Sequence, residues 1–361
     1  MATRFLAPPV ARRRAAVLLR GRDVRVPLLV LAAALLALVP FATSQPYVLR
    51  VMTVIFIYSV VTIGQNVITG YTGMLTLGHA AFFGLGAYTS ALVVERWDWP
   101  WLGGFAAGAV VAGVVGLVVA VPCLRVQSDF LSLVTIAFGS MFSVVALNWV
   151  TLTRGPSGLP GLTRPTIGSF EFSTPRSMYW LAIGLLVIVF AATWRIVGSP
   201  IGRAWQALRD DEMGAAAQGI PVARYKTYAF AYGTVLAGMA GSVLGHYLQF
   251  VNPTSFSLDV SLQLMLMTII GGLASLVGSV VGTSIMVLIP EVFRSLVEYQ
   301  LGVGGLILVV LMVLRPQGLL GRTAFGQSTG LTGPLRVVAD LSRRLWRRVT
   351  GAADDGPGAD R

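Results

Sequence analysis

The chain has 361 residues, 55% of them apolar and only 12% charged, with a mean hydropathy of +0.76 and a formal net charge of +12. Soluble domains carry roughly twice that charged fraction, so the composition excludes one and indicates an all-α polytopic membrane protein. A lone Cys123 excludes an internal disulfide framework or cysteine metal site, and a basic excess that is almost all arginine reports topology rather than nucleic-acid binding.

Residues 1–27 form an Arg-rich tail holding Arg4, Arg12, Arg13, Arg14, Arg20, Arg22 and Arg25. It reads as cytoplasmic, where it can touch anionic lipid. The first apolar run comes late and lacks a small-residue cleavage site, so no cleaved signal peptide is expected. A membrane helix needs about 20 apolar residues. Such runs follow at 28–42, 48–68, 74–94, 101–121, 130–152, 178–198, 228–249, 260–293 and 298–314. At 1.5 Å per residue the 260–293 run would be about 50 Å long, against a core about 30 Å thick. Gly271, Gly272, Ser275 and Gly278 in its middle predict a break, which gives ten spans, or eight with re-entrant pieces.

Ten alternating spans with the N-terminus inside place 21 of the 27 basic residues on the inner side. Six fall outside: Arg50, Arg96, Arg154, Arg164, Arg176 and Arg294. That bias puts both termini in the cytoplasm. It also puts there the polar stretch Ser199–Lys226, which holds Arg203, Arg209, Asp210, Asp211, Glu212, Arg224 and Lys226, the only lysine. Ser199 is a cap, Pro200 suits the first helical position, and Gly219 with Pro221 closes the element, predicting a helix over about 200–218. Ile201, Trp205 and Leu208 share one face. The element is either a helix lying on the membrane surface or a docking helix for a soluble partner. Gly202, Trp205, Leu208, Arg209, Asp211, Glu212 and Gly219 are its candidate contact residues.

On the outer side, 153–177 is rich in Gly, Pro, Ser and Thr and reads as a structured cap or a plain linker. Two stretches echo one another: GYTGMLTLG (70–78) followed by Gly84 and Gly86, and GGLASLVG (271–278) followed by Gly282. Glycine-interrupted apolar segments in the two halves of a chain point to a transport path, although tight helix packing also uses glycine. Candidate path residues are Gln65, Asn66, Thr72, Gly73, Thr76, Gly78, His79, Gly271, Gly272 and Ser275. Like Thr69, Asn148, Gln263 and Thr268, the polar members carry no formal charge. The carboxylates Asp129, Asp259, Glu291 and Glu298 lie near predicted helix ends, which argues against proton or sodium coupling and for an external energy source.

No catalytic constellation is visible, so no enzyme is expected. GxxxxGK[ST], GxSxG and HExxH are all absent, and two distant histidines make no metal site. The segments GQNVITGYTGMLTLGHAAFFGLGAY (64–88), SDFLSLVTIAFGSMFSVVALNWVTLTRGPSGLPGL (128–162) and GRAWQALRDDEMGAAAQGI (202–220) resemble branched-chain amino acid ABC-transporter permeases of the LivM type. HYLQFVNPTSF (246–256), IIGGLASLVGSVVG (269–282) and LRPQGLLG (314–321) continue the resemblance in order. It covers 28–321 as the permease domain, with 199–226 as its coupling loop and 322–361 as a polar C-terminal tail. The resemblance implies a heteromeric importer: this permease, a second permease, two ATP-binding subunits and an extracytoplasmic solute-binding protein. ATP would then be bound by the partner subunits, with no cofactor in this chain. Related permeases carry urea, short amides or aromatic acids. A stand-alone channel for a small neutral solute is the alternative of a different class, and it would not need 199–226.

Overall fold

The computed structural model describes residues 40, 45–123, 130–168, 170–292, 302, 305 and 319–320. The N-terminal tail, most of the runs at 28–42 and 298–314, Arg125, Asp129, Arg294, Glu298, most of the 314–321 motif and the tail from 322 lie outside the described residues.

Helix α1 spans Pro46–Asn66 and continues as a π-helical turn, Val67–Tyr71. Helix α2 runs His79–Trp97, α3 Trp101–Cys123 and α4 Phe130–Asn148, with a further helical turn at Val150–Thr153. Helix α5 covers Pro175–Val197 and opens on a capping box in which Thr174 and Ser177 bond each other's backbone. Two short helices follow, α6 Pro200–Asp210 and α7 Glu212–Ala217, then α8 Val222–Leu248. The chain closes with α9 Leu258–Gly271 and α10 Leu276–Val292. Among the described residues, six helical stretches are long and apolar enough to cross a membrane: 46–71, 101–121, 131–148, 175–197, 222–248 and 253–271.

The apolar run at 260–293 is divided as its length required, between Gly271 and Leu276. A second interruption separates α1 from α2 over 72–78.

Helices α2, α3 and α8 form the middle of the bundle, where glycines let backbones meet. A Cβ on Gly86 would sit 2.2 Å from the Gly238 carbonyl oxygen, and one on Gly238 would sit 2.6 Å from that of Gly108. The Ser242 hydroxyl donates to the Gly86 carbonyl across the same crossing, at 3.2 Å. In lipid there is little hydrophobic drive between apolar helices, so such close contact is what holds them.

The 153–177 connection is ordered rather than a plain linker. Strand β1 (Leu159–Pro160) pairs antiparallel with β4 (Phe250–Val251), just beyond α8, while β2 (Thr166–Ile167) pairs with β3 (Phe170–Glu171). Gly161 N–H donates to the Gln249 carbonyl at 3.0 Å, Gln249 Nε2 donates to the Leu162 carbonyl at 3.2 Å, and His246 Nδ1 lies 2.7 Å from the Thr163 carbonyl. Trp97, Trp99 and Trp149 are exposed near this end, the placement that aromatic residues take at a membrane–water interface. Helices α6 and α7 lie at the other end of α8.

Candidate functional site

Two adjacent side chains at the end of α1 tie the two helix breaks together. Gln65 Nε2 donates to the Thr76 carbonyl at 2.8 Å and approaches Met265 Sδ at 3.6 Å, so it holds the first break. Asn66 holds the second. Its Nδ2 donates to the Ser275 carbonyl at 3.0 Å and to Ser279 Oγ at 2.7 Å, and reaches the Gly272 carbonyl at 3.4 Å. Its Oδ1 accepts the Ala274 N–H at 2.9 Å. A broken helix in an apolar medium strands backbone groups that must find partners, and an amide offers donor and acceptor at once. The π-helical turn follows directly, a distortion frequent at functional sites.

The second break is built on close approach. Gly272 has φ +116° and Ala274 φ +56°. A Cβ on Gly70 would lie 1.8 Å from Asn66 Oδ1 and 2.5 Å from Ala274 N, so the π turn packs directly on the break. Leu319 and Leu320 N–H groups donate to the Ile270 and Gly271 carbonyls, each at 3.0 Å, completing the end of α9.

The first break reaches from the α6 end of the bundle into its interior. Gly73 is exposed, and a Cβ there would lie 3.5 Å from the Arg209 Cα. Deeper in, Leu77 N–H donates to Thr135 Oγ at 3.1 Å, Gly78 abuts the Thr135 carbonyl, and Ala80 N–H donates to Ser261 Oγ at 3.1 Å. Thr72 bonds its own helix at the Ile68 carbonyl. Gln65, Asn66, Thr72, Thr76, Gly78, His79, Gly271 and Gly272 are buried, and Ser275 is partly so. Gly272 and Ser275 face Asn66, Thr76 faces Gln65, and Gly73 sits apart against α6.

The polar stretch departs from the expected single helix over 200–218. Ser199 caps α6 as anticipated, accepting the Ile201 N–H at 3.2 Å, and Gly219 has φ +82°. Asp211 instead takes an extended conformation and starts α7 as its cap, accepting the Met213 and Gly214 N–H groups at 3.0 Å each. A Cβ on Gly214 would lie 2.6 Å from the Asp211 carboxylate, so a larger residue at 214 would displace the cap. The apolar face also points the other way from a partner anchor. Trp205 is only 1% exposed, its indole N–H donates to the Tyr225 carbonyl at 2.9 Å, and Leu208 is buried beside it. Gly202 is pressed on the Val197 backbone. Glu212 is paired with Lys226 at 2.6 Å and is not a free register charge. The outward surface holds Arg203, Asp210, Asp211, Ile201 and, above all, Met213 at 83% exposure.

Sequence reasoning missed Thr135, Ser261, Ser279, Met265, Lys226 and Met213. A hydroxyl in an apolar run is an unspecific signal, because most of them bond their own helix, as Thr53, Ser59 and Thr268 do. Lys226 alone carried a signal, as the only lysine of the chain. Among the described residues, no group of three or more His, Cys, Asp or Glu side chains is placed to hold a metal ion.

Residues 47–315 match the family described as branched-chain amino acid transport system / permease component. The chain is 31% identical over 327 residues to the high-affinity branched-chain amino acid transport system permease protein LivM of Escherichia coli, covering 84% of this chain and 77% of that protein. It is 26% identical over 284 residues to the high-affinity branched-chain amino acid transport system permease protein LivH of Salmonella typhimurium, covering 73% of this chain and 91% of that protein. It is also 20% identical over 229 residues to a probable LivM permease of Methanocaldococcus jannaschii, covering 59% of this chain and 66% of that protein. No solved structure matches the chain.

Proposed function

Because the chain belongs to the family of branched-chain amino acid transport system permease components, we propose that it is the LivM-type permease subunit of an ATP-binding cassette importer for branched-chain amino acids. The observation that carries the reading is the α6–α7 pair: a charged, ordered surface fixed to one end of an apolar bundle by buried Trp205 and the Lys226–Glu212 pair. A free-standing channel has no need of it.

The importer would comprise this permease, a second LivH-like permease, two ATP-binding subunits and an extracytoplasmic binding protein, in the plasma (inner) membrane. The full chain would span it ten times, with both termini and α6–α7 in the cytoplasm, as the arginine distribution supports. ATP is bound and hydrolysed by the partner subunits. The ATP-binding subunit would seat on the outward surface around Met213, while Trp205, buried against Tyr225, passes displacement of α6 into α8. The contact between Arg209 and Gly73 gives a second route, from α6 into the first helix break and so to Gln65. Urea, short amides and aromatic acids are the alternative solutes.

Reconstitution tests the reading. Vesicles holding both permeases and the ATP-binding subunits, supplied with leucine-loaded binding protein, should accumulate labelled leucine against its gradient only with ATP inside the compartment that faces α6–α7. Passive equilibration without ATP by this chain alone would establish the channel instead.

A further inference from the structure

Five side-chain atoms around the first helix break are buried and have no hydrogen-bond partner among the described residues: Gln65 Oε1, Thr69 Oγ, Thr76 Oγ and both ring nitrogens of His79. Gln65 and Thr76 are joined through the Thr76 carbonyl, and His79 opens α2 three residues on. In an apolar interior such atoms cost free energy unless something else bonds them. The position matters too. Helix α2 has 19 residues and therefore rises about 27 Å from His79 to Trp97, which is exposed near the stapled outer connection. A hydrocarbon core is about 30 Å thick, so α2 reaches across nearly all of it and begins close to its inner side. Gln65, six residues before Tyr71, is about 9 Å up α1 from the end of the π turn.

We infer that the inner end of α2, with Gln65, Thr76 and His79, is an internal subsite that takes the zwitterionic head group of an aliphatic amino acid. The inference rests on the importer reading above and names the place of contact within it. The chemistry matches on both charges. The N-terminal end of a helix carries partial positive charge and favours a carboxylate. The Thr76 hydroxyl can donate, and a neutral imidazole supplies one further donor and one acceptor. Gln65 Oε1 accepts, as an ammonium requires, and is kept in place because its own Nε2 is spent on the Thr76 carbonyl. Beside these groups the wall is apolar. Phe82 lies 6.2 Å from the His79 ring and stacks on Phe138 at 4.8 Å, and Met265 lies against Gln65. A branched aliphatic side chain suits that wall. Among the described residues no full charge lines the subsite, which fits a transported solute that must leave as readily as it binds.

The test uses the reconstituted importer with its binding protein and ATP, in a Cys123→Ser background. Thr76→Cys is treated with a small cationic methanethiosulfonate during turnover, with Thr72→Cys as a control, since Thr72 is bonded within its own helix. The subsite predicts that the thiol at 76 is modified during turnover and that excess leucine slows the modification at least fivefold, with less than a twofold effect at 72. Thr76→Val should lower leucine uptake per ATP hydrolysed at least tenfold, and Thr76→Ser should restore it. An unmodified thiol at 76, equal leucine effects at 76 and 72, or normal uptake by Thr76→Val would each overturn the subsite. Failure of the parent importer to accumulate leucine at all would instead overturn the importer reading.

Discussion

Replacing Asn66 with alanine should loosen the second helix break more than any other single side-chain truncation near it. The truncation removes the acceptor of the Ala274 N–H and the donor to the Ser275 carbonyl and Ser279 Oγ. Each buried group left unpaired costs about 1–3 kcal/mol, while interhelical hydrogen bonds in membranes average only about 0.6 kcal/mol when both partners can relax. Ser279 can relax, because its hydroxyl also reaches the Ser275 carbonyl at 3.3 Å. The Ala274 N–H cannot, since Ala274 itself is held at φ +56° and the π turn is packed on it. Together these give a destabilisation of about 2–4 kcal/mol for Asn66→Ala. Gly70→Ala should cause a similar loss by driving Asn66 Oδ1 off the break. The two substitutions should be strongly non-additive, as expected for residues sharing one network. Denaturation of the purified permease pair in mild detergent, followed for both single variants and the double, reads the effect. Single-variant losses below about 0.5 kcal/mol, or simple additivity, would refute the idea that Asn66 secures the break.

The Lys226–Glu212 pair should be asymmetric: Glu212→Gln takes the carboxylate charge away from a buried ammonium and should cost roughly 1–3 kcal/mol, whereas adding Lys226→Met to it should recover most of that. Thermal unfolding of the three variants decides it, and equal losses in Glu212→Gln and the double variant would contradict the argument. Met213→Asp should leave folding unchanged, because the side chain is 83% exposed, yet weaken capture of the ATP-binding subunit at least tenfold, equivalent to about 1.4 kcal/mol. Unchanged capture would remove Met213 from the docking surface.

The breaks were legible because length and glycine speak directly: a run at 260–293 cannot cross a core of ordinary thickness, and Gly271–Gly272 marks where it yields. The ties across the breaks were not legible. Gln65 and Asn66 stood out as polar, but nothing in their spacing says that one serves the first break and the other the second. The face of α6 shows a different limit. Ile201, Trp205 and Leu208 recur at helical spacing, which establishes an apolar face but not which body covers it. Here the chain's own α8 receives the Trp205 indole, and Leu208 is buried within the same chain. Asp211 was read as a surface charge, although Asp is also a strong helix cap, and the cap is the role the backbone uses. Met213 carried no signal at all, since exposure of an isolated methionine is a property of the fold.

The bonds from Leu319 and Leu320 to the end of α9 bear on the order in which the molecule can be made. The Ile270 and Gly271 carbonyls receive these donors from residues synthesised 49 positions later in each case. As the chain leaves the ribosome and enters the bilayer, α9 and α10 are therefore synthesised before the carbonyls at their junction have these partners. Water or a passing polar group must hold those carbonyls in the interval. The second break is thus a late-closing seam: its helices can be in place well before its backbone is complete, and a chain stopped short of Leu319 carries the seam open.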